Sequence, residues 1–168
     1  MQQYNEIWKQ IDGYKNYYVS NFGRVKNIET EKILKPWITC TGYLHVSLSL
    51  DGKVKKFAIH RLVAIAFVLN LKNRHMVDHI DNERTNNRAD NLRWCTNQEN
   101  CFNFKKKEGS SSYKGVMWDK ARKKWTAKIK HNYIGVFLGR FDTEEEAGRA
   151  YDAKARELFG EFAKLNFP

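Results

Sequence analysis

No stretch of this sequence is long and apolar enough to cross a bilayer. The longest apolar run, residues 62–69, is eight residues, against the roughly 20 that a membrane-spanning helix needs. The opening MQQYNEIWKQ lacks the apolar core of a secretion signal. Together these predict a cytosolic protein, or a nuclear one where the host cell has a nucleus. Cysteine is sparse: Cys40, Cys95 and Cys101 are odd in number and form no CxxC pair, which argues against a disulfide framework or a zinc ribbon. Acidic residues are scarce beside basic ones, 19 against 30, for a net charge of +11. What is present is a globular composition. Hydrophobic residues at 42% and aromatics at 14% exclude a wholly disordered chain. At 168 residues the chain suits one or two domains. A small, soluble, basic protein points to a polyanionic partner, with nucleic acid first.

The charge is uneven. Residues 1–61 carry ten basic and five acidic side chains, and residues 62–104 five of each. Residues 105–112, KKKEGSSS, have no apolar periodicity and read as a basic linker. Beyond them, residues 114–130 hold seven basic side chains and a single acid, Asp119, whereas residues 141–161 hold three basic and seven acidic. One half of the C-terminal unit is a basic surface and the other is not.

The N-terminal third reads as short strands and turns. Residues 43–50 alternate apolar and polar, as a half-buried strand does, and Asp51-Gly52 signals a hairpin into residues 54–59. Residues 61–69 read as an apolar helix. Residues 75–80 and 92–95 read as short strands around an Asn-rich loop. Thr96 and Glu99 form a capping box that predicts a helix to about residue 104. After the linker, three strands are expected at residues 115–118, 125–130 and 133–137. A second capping box at Thr143 and Glu146 then opens a helix that ends at Gly160.

The chemistry-bearing cluster lies between residues 78 and 100. Asp78 and Asn100 offer oxygen donors of the kind Mg²⁺ or Mn²⁺ prefers. His79 can take a proton from water at neutral pH. One hard cation and one base make a minimal kit for phosphodiester hydrolysis. Asn100, early in its helix, is placed where a helix dipole favours an anion. Neighbours on a strand point to opposite faces, so Asp78 and His79 serve one site only if the strand ends or bends there.

These residues resemble a family. VDHID, NNRADNLRW and TNQEN are similar to the HNH endonucleases, in particular the phage and intron homing enzymes that nick DNA, and IHRLVAIAF resembles the segment preceding the motif there. EIWKQIDGY, YYVSNFGRVKN, KILKPW and GYLHVSLSLDGK resemble a DNA-binding module often fused to such nucleases. The resemblance covers roughly residues 5–104. It implies a ββα-metal fold with Asp78 and Asn100 on the metal, His79 as general base, and Asn91 bracing the loop and helping to orient His79. Asn100 stands where the family name has its final histidine. His60 has two readings, one facing the scissile phosphate and one packing at a strand end. Tyr18, Asn21, Arg24 and Lys26 either contact DNA or form a turn with solvated charges.

YKGV, KWTAKIK, FLGRFDTEEEAGRAYD and the closing LNFP resemble the plant Apetala-two/ethylene-response-factor DNA-binding domain. That resemblance implies a three-stranded antiparallel sheet packed on one helix, with the sheet in the major groove. The matching or neighbouring strand positions are Lys114, Trp118, Arg122, Lys124, Lys128 and Lys130. Met117 and Phe137 stand where the plant family has Arg and Trp, and Lys does not read guanine with Arg's fork, so the plant target sequence does not transfer. Trp125, Phe141 and Tyr151 read as core.

The expected fold class is therefore α+β: a β-rich module (1–58), a ββα-metal nuclease domain (59–104), the linker (105–112) and a second DNA-binding domain (113–168). The expected activity is site-preferring DNA nicking with Mg²⁺ or Mn²⁺, by a monomer with double-stranded DNA as partner, in the cytoplasm of a bacterial or phage-infected cell. The alternatives are a DNA-binding regulator without turnover and, more weakly, an RNA-directed binder.

Overall fold

The computed structural model describes residues 5–103, 110–132 and 134–168. The chain is α+β and divides into two compact units, residues 1–96 and 97–168.

The first unit opens with three antiparallel strands, β1 (Trp8–Ile11), β2 (Tyr14–Ser20) and β3 (Val25–Asn27), in the order β1-β2-β3. A second sheet holds β4 (Trp37–Ile38), β5 (Leu44–Leu50) and β6 (Lys53–Ala58). The alternation in β5 delivers Val46 and Leu48 to the core, at 1% and 0% exposed. Asp51 and Gly52 both take positive φ, 49° and 73°. Two such residues in a row are what a two-residue hairpin turn with the right twist requires.

Helix α1 (Ile59–Phe67) buries Ile59, Leu62, Val63 and Ala64. It stops when Val68 turns to extended backbone, and the Trp94 indole donates to the Val68 carbonyl at 2.9 Å. Strands β7 (Met76–His79) and β8 (Leu92–Cys95) then pair antiparallel, with Asp78 opposite Arg93 and His79 opposite Leu92. Residues from β1 to β8 share one apolar cluster, which includes Ile11, Val19, Val46, Val63, Val77 and Leu92. Apolar residues of the stretch expected as a separate module thus pack in one cluster with α1, β7 and β8.

The second unit begins with α2 (Asn97–Phe102). Its sheet has the order β11-β10-β9, from β9 (Val116–Asp119), β10 (Lys124–His131) and β11 (Ile134–Phe141). Tyr133, expected to start the third strand, lies outside the described residues. Helix α3 (Glu144–Phe159) opens with the full capping box: Glu146 N donates to Thr143 Oγ1, and Thr143 N donates to the Glu146 carboxylate. Its buried face, Ala147, Tyr151, Ala155 and Phe159, packs on Val116, Ala127 and Ile129 of the sheet. Gly115, at φ +77°, approaches Tyr151 so closely that a Cβ would lie 2.1 Å from the ring. The closing segment is tied down by Asp152, 1% exposed, whose carboxylate accepts from Asn166 N and Phe167 N at 2.8 Å each.

Most of the expected linker, residues 105–109, lies outside the described residues. Ser111 and Ser112, counted with it, are fastened instead: Ser111 Oγ and Ser112 N donate to Glu144 at 2.6 and 2.7 Å.

Candidate active site

Strand β7 ends on Asp78 and His79, 6% and 4% exposed. The alternation of a strand is visible in their partners. Asp78 meets its register partner: Arg93 Nε and Nη2 donate to Asp78 Oδ2 at 3.0 and 2.8 Å. His79 meets the loop and an upstream aromatic pair. Its Nε2 lies 3.0 Å from Asn87 Oδ1, and its ring centroid is 5.9 Å from Tyr43 and 5.3 Å from His60.

The loop between β7 and β8 is closed by its own side chains. Asn91 Oδ1 accepts from Asp81 N at 3.1 Å, and Asn91 Nδ2 donates to Asp81 Oδ1 and to Asn86 O at 2.9 and 2.8 Å. Burial alone raises the Asp81 pKa, but hydrogen bonds from Glu83 N, Asn86 and Asn91 outweigh it and hold the carboxyl below its usual range. Asn91 thus ties the two ends of the loop together, and the side chain that the structure places against the His79 ring is that of Asn87. Two amides of the same type stand four positions apart, and the folded path of the loop selects which one faces the imidazole. Sequence reading missed Asn87, Arg93 and Tyr43. Cross-strand register could have found Arg93, but nothing in a run of polar residues singles out Asn87.

His60 sits between Tyr43, at 4.8 Å, and His79, with its buried Nδ1 unpartnered. Burial, and after it the charges of His79, Arg61 and His45, push its pKa down from 6.5 to about 4. The folded state thus refuses a proton that the unfolded chain accepts. Stability from neutral His60 is full above pH 6.5 and is lost as pH falls toward 4. Thermal denaturation should show a loss of about 2 kcal/mol between pH 7 and pH 5. His60→Phe should flatten that slope, and an unchanged slope would remove His60 as its cause.

The candidate metal donors are the Asp78 carboxylate and the Asn100 amide. Asp78 belongs to the first unit. Asn100, half-buried on α2, belongs to the second. Among the described residues no three His, Cys, Asp or Glu side chains group as a metal cage. An Asp–Asn oxygen pair fits Mg²⁺ or Mn²⁺, which keep several waters and need few protein ligands. α2 spans six residues, too short for the helix-dipole argument at Asn100.

The residues expected on DNA are distributed as follows. Arg24 pairs with Glu6, and both Arg24 and Lys26 lie over the Trp8 ring, 5.7 and 4.3 Å from its centroid. Asn21 is structural: its Oδ1 accepts from Ile7 N at 2.7 Å. Trp118 and Lys128 line a hollow of about 430 Å³ on the sheet with Met117, Thr126, Phe137 and Arg140. Asp119 caps a turn by accepting from Arg122 N and pairs with the Arg122 guanidinium, and Lys124 pairs with Asp142. Lys130 is exposed. Lys114 departs from the expectation. Its ammonium donates to Phe102 O at 2.7 Å, closing the end of α2, and burial, aided by the charge of Lys164, lowers its pKa to about 8. Arg140, whose guanidinium lies 5.0 Å from the Phe137 centroid, is a basic residue of this face that the sequence reading did not select.

Comparison with known proteins agrees with this layout. A model of the HNH endonuclease family matches residues 57–101, and one of the NUMOD4 motif matches residues 6–49. DNA endonuclease I-HmuI of Bacillus phage SP01 is 44% identical over 97 residues, 57% of this chain and 56% of that protein. A solved structure described as DNA binding and cleavage by the HNH homing endonuclease I-HmuI superposes with a TM-score of 0.54 at 44% identity, covering 56% of this chain and 55% of the other. Over the other part, dehydration-responsive element-binding protein 2D of Arabidopsis thaliana is 46% identical across 61 residues, 35% of this chain and 29% of that protein. The chain spans between a quarter and just over half of the length of three of the curated relatives that it matches.

Proposed function

Since this chain belongs to the HNH endonuclease family, we propose that it is a divalent-metal-dependent DNA endonuclease that prefers a site and nicks one strand, acting as a monomer on double-stranded DNA. The observation that carries this reading is the end of β7, where a buried histidine held by an amide stands next to a buried carboxylate. The family match spans Asp78, His79, Asn91 and Asn100 together, which supports Asp78 and Asn100 as the shared metal ligands.

In this reading His79 takes the proton from the attacking water, and Asn91 keeps the loop closed around it. A bound Mg²⁺ or Mn²⁺ would supply charge stabilisation at the phosphate and the leaving oxygen. The sheet face with Trp118, Lys128 and Arg140 would lie against DNA, as would Arg24 and Lys26. Phosphate contacts position the chain and base contacts select its site. If eight positive groups meet phosphates, affinity falls by about 10³–10⁵ between 50 and 200 mM salt. A salt titration by gel shift checks this, and a flat titration rejects an electrostatic grip. Among the described residues no helix is long and apolar enough to cross a membrane.

The test is nicking of supercoiled plasmid carrying the cognate site, with Mg²⁺ and with EDTA. Conversion to open circles in Mg²⁺ alone is the expected result. The segment similar to a plant element-binding protein favours a second reading, a DNA-binding regulator without turnover. Equal, absent activity from wild type and His79→Ala on that DNA would establish the regulator instead.

A further inference from the structure

The turn at residues 20–23 sits between β2 and β3, in the segment matched by the NUMOD4 motif. Its contacts nevertheless go to the loop that carries the nuclease motif. Asn21 O accepts from Ala89 N at 2.8 Å. The Phe22 ring lies 4.5 Å under the Arg88 guanidinium. Gly23, at φ +82°, is pressed against Asn87: an added Cβ would fall 2.8 Å from Asn87 Cβ and 3.0 Å from its carbonyl oxygen. Three consecutive residues of the turn thus meet three consecutive residues of the loop.

Asn87 is the residue at the centre of that contact, 4% exposed, and it is also the one whose Oδ1 reaches His79 Nε2. Its Nδ2 is buried with no hydrogen-bond partner among the described residues. An apolar side chain here would offer the ring no acceptor, so the contact with His79 is what asparagine adds at this position. The 3.0 Å contact between Asn87 Oδ1 and His79 Nε2 fixes the direction in which the ring points.

We infer that Asn87 is a positioning residue for His79, and that the turn at residues 20–23, through Gly23, sets where Asn87 stands. The inference rests on His79 acting as the general base. Besides any grip on DNA, the N-terminal segment then forms part of the frame of the site.

Single-turnover nicking of supercoiled plasmid in Mg²⁺, with affinity measured separately by gel shift, tests both halves. Asn87→Leu keeps the branching of the side chain and removes the acceptor. It should lower the cleavage rate by about 10²-fold, the scale expected for a misplaced catalytic group, with DNA affinity unchanged. Asn87→Asp restores an acceptor oxygen and should return the rate to within about tenfold of wild type. A purely packing role predicts the reverse, because a buried carboxylate is harder to accommodate than leucine. An Asn87→Asp rate as low as that of Asn87→Leu overturns the first half, and so does a wild-type rate for Asn87→Leu. Asn87→Ala replaces the leucine variant if that one does not fold.

Gly23→Ala should slow cleavage by about tenfold. Gly13→Ala, at φ +72° with nothing within 4 Å, carries comparable backbone strain without the contact and should nick like wild type. Equal rates for these two variants overturn the second half. A wild-type chain that does not nick while it still binds the plasmid defeats the general-base reading itself, a result distinct from either.

Discussion

His79→Ala is expected to lower strand cleavage by about 10²–10⁴-fold, the usual contribution of a positioned general base, and to leave affinity for DNA unchanged. The two effects separate because of where the residue lies. His79 is 4% exposed, and its ring is bounded by Asn87, Tyr43 and His60. Those three neighbours are an amide and two aromatic rings, and none of them is a basic side chain expected on DNA. Removing the imidazole therefore deletes a proton acceptor without touching the surfaces that attract phosphate. The measurement is the single-turnover rate on plasmid beside a gel-shift isotherm. Cleavage within about threefold of wild type would exclude His79 as the base. Lost affinity would show that the ring serves binding.

Asp78→Ala is expected to remove two things at once, Mg²⁺-dependent cleavage and about 3–5 kcal/mol of stability, the cost of leaving one member of a buried pair alone. The Asp78 and Arg93 side chains are 7% and 14% exposed, and two guanidinium nitrogens converge on one carboxylate oxygen. A carboxylate has about four lone-pair sites, so the guanidinium and a cation can share it. Replacing both residues by apolar ones separates the roles. Asp78→Leu with Arg93→Met should recover most of the lost melting temperature, because a buried ion pair is often matched by apolar packing, and should remain without cleavage. A double variant that nicks in Mg²⁺ would show that the carboxylate is not a metal ligand. One that stays as unstable as Asp78→Ala would show that the pair is not the source of the loss.

Much of this protein is legible as text. The Asp51-Gly52 turn, the Thr143–Glu146 capping box and the alternation in β5 all follow from preferences within a few residues and appear where such preferences place them, and the apolar helix α1 appears two residues earlier than the run 61–69 suggests. The contrast between basic strands and an acidic helix in the C-terminal unit is likewise a local pattern. Asp78, His79 and Asn91 can be selected from their motif. The shared core of residues 8–95 is less legible, because a run of short strands does not say which neighbour will bury it.

The amino-acid order alone settled the kinds of element, the charge of each face and the residue types that carry the chemistry, since each depends on spacing along the chain. Folding chose among chemically equal candidates: Asn87 rather than Asn91 against the imidazole, Arg93 for the carboxylate, and Lys114 for the end of α2. That choice depends on contacts between residues far apart in sequence, such as Gly23 against Asn87. Such contacts are fixed by shape and by burial without wasted hydrogen bonds, and no short window of sequence contains either.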